Sequence, residues 1–156
     1  MKNLIIVAGS SNTGKTITTN LVIQKLISDG YEVTSKYEDI KYIGEFWEYL
    51  DVDPKGGYAI LEKNGQRILV VTYGDSEKDV RDIFDGINLN EFYSIVCCSR
   101  AAKGRRVFNY FYNKIAEIDL KNTNVIPIYK NLVAHYDKRD IENESLANLI
   151  CNFIIN

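Results

Sequence analysis

The chain has 156 residues, 46% of them hydrophobic and 26% charged, with a formal net charge of −2 and a pI near 5.5. This length suits one domain, expected over residues 1–156, and is enough for a single sound core. So weak and slightly acidic a balance gives no broad field for nucleic acid or an anionic membrane, and no stretch approaches the ~20 apolar residues of a membrane span.

The first signal is Leu4-Ile5-Ile6-Val7-Ala8, a short apolar run that predicts a strand buried on both faces and is too short for the apolar part of a signal peptide. It runs into Gly9-Ser10-Ser11-Asn12-Thr13-Gly14-Lys15-Thr16, which satisfies the phosphate-binding pattern G-x-x-x-x-G-K-[ST] at every fixed position. Ile17, Leu21, Val22, Ile23, Leu26 and Ile27 follow at helical spacing, with Gly30 as a stop. Residues 31–37 alternate loosely and predict a second strand. Ile40, Ile43, Phe46, Trp47 and Leu50 form a helical stripe before a loop with Pro54 and Gly56-Gly57.

Two arms at residues 58–63 and 66–72 flank Asn64-Gly65, the preferred pair for a two-residue hairpin turn. The second arm is strongly apolar and is expected to enter the central sheet, with the first as its antiparallel edge partner. Residues 76–84 predict a helix, 92–98 a buried strand and 104–118 another helix. Residues 124–129 predict a last strand, whose Pro127 suggests a sheet margin or a strand end. A C-terminal helix is expected to bury Leu146, Leu149, Ile150, Phe153 and Ile154 on one face. Strands alternating with helices predict a three-layer α/β/α sandwich with a mostly parallel sheet and an antiparallel edge hairpin at about 58–72.

The loop at 9–16 carries the chemistry. Gly9 and Gly14 allow close backbone approach to phosphate oxygens. The amides of Asn12, Thr13, Gly14, Lys15 and Thr16 make a cradle of donors at a helix N-terminus. Lys15 is placed for the β/γ-phosphates, and the Thr16 hydroxyl for Mg²⁺. Without a ligand the Lys15 ammonium is expected to have no structural partner. With strand before and helix after, residues 3 to about 28 resemble the P-loop (Walker A) NTPase superfamily, and the element order beyond them is similar to its small nucleotide and metabolite kinases.

The resemblance implies ATP and Mg²⁺ as cofactors and an acid at the end of a neighbouring strand that serves the metal. Asp75 is the candidate, although Thr72, Tyr73 and Gly74 separate it from the apolar run, and capping the following helix is the competing role. Glu38 and Asp39 stand where such kinases place an acid beside the acceptor hydroxyl, against the plainer reading of acids at a helix start.

Ser99-Arg100-Ala101-Ala102-Lys103-Gly104-Arg105-Arg106 is a basic loop expected on the phosphate-loop side of the sheet. It resembles the arginine-bearing lids of nucleotide kinases, with a solvated basic turn as the alternative. Arg100 is the cation singled out for the acceptor or the transferred charge. Trp47, Tyr42, Tyr110 and Tyr112 are better read as core than as a base platform. His135 is the only histidine, which leaves little material for histidine-based catalysis.

Cys97 and Cys98 should point to opposite faces of their strand, and Cys151 should lie in a helical stripe. Buried thiols of this kind suit a reducing cytoplasm. The expected function is transfer of the γ-phosphoryl of ATP to a nucleotide or small metabolite. The alternative is a P-loop ATPase or switch acting through a protein partner. Asn-Lys-x-Asp, which marks guanine recognition, is missing from the end of the last strand, where Tyr129-Lys130-Asn131-Leu132 stands.

Overall fold

In the computed structural model, which describes residues 1–10, 13–36, 57–72, 74, 77–100, 106–118, 122–130 and 136–156, a six-stranded sheet organises the chain. The strands are β1 (Asn3–Gly9), β2 (Glu32–Lys36), β3 (Tyr58–Lys63), β4 (Gln66–Val71), β5 (Ser94–Arg100) and β6 (Asn124–Lys130). The described α-helices are α1 (Lys15–Ser28), α2 (Glu77–Phe84), α3 (Arg106–Ile118) and α4 (Tyr136–Ile155). Among the described residues no helix is long and apolar enough to cross a membrane.

Spatial order is β2-β3-β4-β5-β1-β6. β1 pairs in parallel with both β5 and β6, and β4 with β5. β3 is antiparallel to both its neighbours. The hairpin forms where Asn64-Gly65 predicts it: both residues have positive φ, 52° and 76°, and Lys63 pairs with Gln66. That is the backbone a two-residue I′ turn requires.

One expectation is corrected. The hairpin is not the sheet's edge, because β2 returns to pair along the outer side of β3, Val33 opposite Leu61. The loose alternation of β2 is that of a true edge strand. At the opposite edge β6 carries Pro127, which lacks the amide a further strand would need.

Side chains alternate along the strands between two apolar clusters. Ile5, Val7, Val70 and Val96 pack with Leu21, Val22 and Leu26 of α1 and with Ala147, Ile150 and Ile154 of α4. Leu4, Ile6, Leu69 and Ile95 pack with Val80 and Phe84 of α2 and with Val107 and Phe111 of α3. Tyr110 belongs to this second cluster, edge-on to Phe84 at 6.4 Å between centroids, whereas Tyr112 is exposed. Tyr42 and Trp47 lie outside the described residues.

The buried stripe of α4 also differs from the expected one. Ala147, Ile150, Cys151 and Ile154 face the core at i, i+3, i+4 and i+7, while Leu149 and Phe153 are exposed. Helical geometry admits one such face, and it follows the alanine and the cysteine rather than the bulkiest residues.

Candidate functional site at the end of β1

Every residue of β1 is buried, so the chain leaves the sheet at Gly9 from a strand covered on both sides, between β5 and β6. Register puts Arg100 of β5 and Lys130 of β6 opposite Gly9 on its two sides. A Cβ on Gly9 would fall 2.6 Å from Thr13 Oγ1 and 2.8 Å from the Lys130 carbonyl, so no other residue fits without displacing backbone.

Gly14 takes a left-handed conformation, φ 82° and ψ 20°, at the N-cap of α1. Among the described residues no side chain caps this helix, and its first turn holds no acid. A helix start ordinarily recruits one or the other, because its first amides have no intrahelical acceptor. Thr13 donates to the Ser10 carbonyl at 3.0 Å, and Lys15 Nζ donates to the same oxygen at 2.8 Å. The expectation that Lys15 has no partner before a ligand arrives is therefore corrected: its ammonium rests on the loop's own backbone.

Threonine hydroxyls tie the first turns of α1 to their surroundings. Thr18 Oγ1 lies 3.0 Å from the Gly14 carbonyl and 3.1 Å from Asn143 Oδ1. Thr19 Oγ1 bonds back to Lys15 and Thr16 carbonyls and lies 3.7 Å from Cys98 Sγ. Thr16 Oγ1 donates to the Thr72 carbonyl at 3.3 Å, just past the end of β4. Thr72 in turn is held by Gly57, whose amide donates to its hydroxyl at 2.6 Å.

β4 is not the strand beside β1, since β5 lies between them. An acid after β4 therefore follows the second strand away, not the neighbour the sequence suggested, although Thr16 spans the gap. Asp75 itself, like Asn12, Glu38, Asp39, Arg105 and His135, lies outside the described residues. No group of three or more His, Cys, Asp or Glu side chains gathers among the described residues.

Arg100 is the last residue of β5, not part of a loop, and its amide donates to the Gly74 carbonyl at 3.0 Å. It continues the parity of Cys98, toward α1, and is exposed at the C-terminal end of β5, on the side of the sheet where β1 ends at Gly9. Arg106 opens α3.

Sequence reasoning missed Lys130 and Asn143. The Lys130 side chain is fully buried, donates to Asn143 Oδ1 at 2.7 Å and lies 3.6 Å from Glu142 Oε2. Burial lowers its pKa below the usual lysine value; Glu142 pushes back, and Lys15 adds to the lowering. One signal was available: Lys130 occupies the inward parity of Ile126 and Ile128, and Asn143 stands one turn before Ala147 on the buried face of α4. The three thiols lie as expected, all buried and free. Cys97 joins the α2/α3 cluster, and Cys98 faces Thr19 of α1. No protein-family model, curated protein or solved structure matches this chain.

Proposed function

We propose that the loop from Gly9 to Thr16 binds the polyphosphate of ATP with Mg²⁺, and that the protein transfers the γ-phosphoryl to a nucleotide or another small acceptor. The observation that carries this is the N-terminus of α1: a left-handed Gly14, no side-chain cap among the described residues, no acid in the first turn, and a lysine resting on the loop's own carbonyl. Amides so placed favour an anion, and Lys15 is one short swing from joining them. The Thr16 hydroxyl suits a place on Mg²⁺, with Asp75 as the candidate acid. Bound metal would neutralise charge on the phosphates; Lys15 and the loop amides would hold the β/γ oxygens as charge shifts toward the bridge. Arg100, opposite Gly9, is the cation for the acceptor or the transferred group. Helices packed on both faces of the sheet suit the three-layer α/β/α arrangement of P-loop kinases.

Calorimetry of MgATP with wild type and Lys15→Ala tests the binding; equal affinities would remove the reading. Turnover against a panel of nucleotides and small metabolites tests the reaction class. Slow ATP consumption that an acceptor raises many-fold is the expected result. Stimulation by a partner protein alone would replace the kinase reading with that of a switch.

A further inference from the structure

We propose that Lys130 and Asn143 are positioning residues for the phosphate loop, a buried ammonium–amide brace from β6 and α4 that holds the left-handed Gly14 turn in place and thereby sets affinity for MgATP. The proposal rests on the phosphate-binding reading of residues 9–16.

The brace reaches Gly14 through the Asn143 amide, and the backbone that carries its ammonium borders Gly9. Lys130 abuts Gly9, whose Cβ would meet the Lys130 carbonyl at 2.8 Å and its Cβ at 3.4 Å. Asn143 abuts Gly14, whose Cβ would meet Oδ1 at 2.7 Å. The same Oδ1 accepts from Lys130 Nζ at 2.7 Å and lies 3.1 Å from Thr18 Oγ1, which also lies 3.0 Å from the Gly14 carbonyl. A continuous polar path thus runs from the end of β6 through α4 to the turn that starts α1.

Stability alone is a poor reason for this arrangement. Burying an ammonium is costly, and an apolar pair of similar volume is often as stable or more so. The position supplies the other reason. Lys130 and Arg100 bracket Gly9 in register, so the buried cation sits behind a helix start that already favours anions. A loop whose amides must all converge on one polyphosphate loses affinity when its left-handed turn is free to relax.

The test uses the full chain and reads MgATP affinity by calorimetry beside the thermal melt. Lys130→Met and Asn143→Leu each take one partner from a buried polar group, leaving Asn143 with Thr18 and Lys130 with Glu142, and should lower the melting temperature. The double variant K130M/N143L removes both polar groups and should recover most of it. It should nevertheless bind MgATP at least tenfold more weakly than wild type. A double variant with wild-type affinity would mean that the brace is structural only, and the proposal would be overturned.

Thr18→Val, a near-isosteric change that leaves Lys130 and Asn143 together, covers the case in which the double variant does not fold. A fivefold or greater loss of affinity at a nearly unchanged melt supports the brace, and unchanged affinity overturns it. Lys15→Ala runs alongside. If wild type binds and Lys15→Ala does not, the phosphate reading stands whatever the brace variants do. If wild type binds no MgATP, both fall.

Discussion

Lys15 has two partners in prospect and one ammonium. In the structure it holds the Ser10 carbonyl at 2.8 Å, and its remaining N–H donors are those a phosphate would take. The gain is a bond from a cation to an anionic oxygen, stronger than one to a neutral carbonyl. Lys15→Ala should weaken MgATP binding by about 1.5–3 kcal/mol, roughly ten- to a hundredfold. Turnover should fall further, and the melt only slightly, as calorimetry and thermal scans would show.

Lys130 carries a different signature, in pH. Burial lowers its folded-state pKa below the usual 10.5, so the native chain releases this proton before the unfolded chain does. Between the lowered value and 10.5 the unfolded state binds more protons, and the contribution of Lys130 to stability rises with pH. Urea unfolding of wild type and Lys130→Met at a series of alkaline pH values should show the difference moving in favour of wild type. A difference flat in pH would mean the folded and unfolded pKa values are alike.

At the scale of elements, local chemistry was most legible where backbone needs are strict. The Asn64-Gly65 pair dictates its turn, and among the described residues nothing lies within 4 Å of a Cβ built on Gly65. Gly65→Ala should therefore cost only the left-handed backbone strain, about 1–2 kcal/mol, in thermal melts. Gly9→Ala should cost more despite an ordinary φ, because the Lys130 carbonyl cannot step aside.

β1 and α1 were equally legible, since a buried strand, two glycines and a lysine constrain one another. The position of the hairpin in the sheet was not. Whether β2 stays beside β1 or crosses to pair with β3 depends on which strand offers a free edge, and no residue of β2 states that. The brace was hidden for a related reason: Lys130 and Asn143 are thirteen positions apart, and only the docking of α4 on α1 makes them neighbours of Gly14. The α4 stripe was misread because bulk was taken as the mark of burial, where Ala147 and Cys151 fit closer against α1.

For the whole molecule, the two clusters share one sheet, so its stability should be cooperative across β1, β4 and β5 and weaker at helices that dock from one side. The thiols report this directly. Cys97 and Cys98 lie in β5 on opposite faces, both with negligible exposure. Cys97 Sγ lies 3.7 Å from the Ile5 carbonyl of β1, and burial raises its pKa well above the usual range. Cys151 Sγ lies 3.9 Å from the Val22 carbonyl of α1. Burial, then the charge of Asp29, pushes its pKa up to about 12.

A thiol in this state reacts only when exposed, because the thiolate is the nucleophile. Undocking of α4 alone exposes Cys151, whereas Cys97 is covered by α2 and α3 and Cys98 by α1. Pulses of iodoacetamide in rising urea, read by mass spectrometry, should label Cys151 at lower urea than Cys97 and Cys98. Labelling of Cys97 before Cys151 would mean that the α2/α3 face opens first, and that the C-terminal helix, with the brace it carries to Gly14, belongs to the most stable part of the chain.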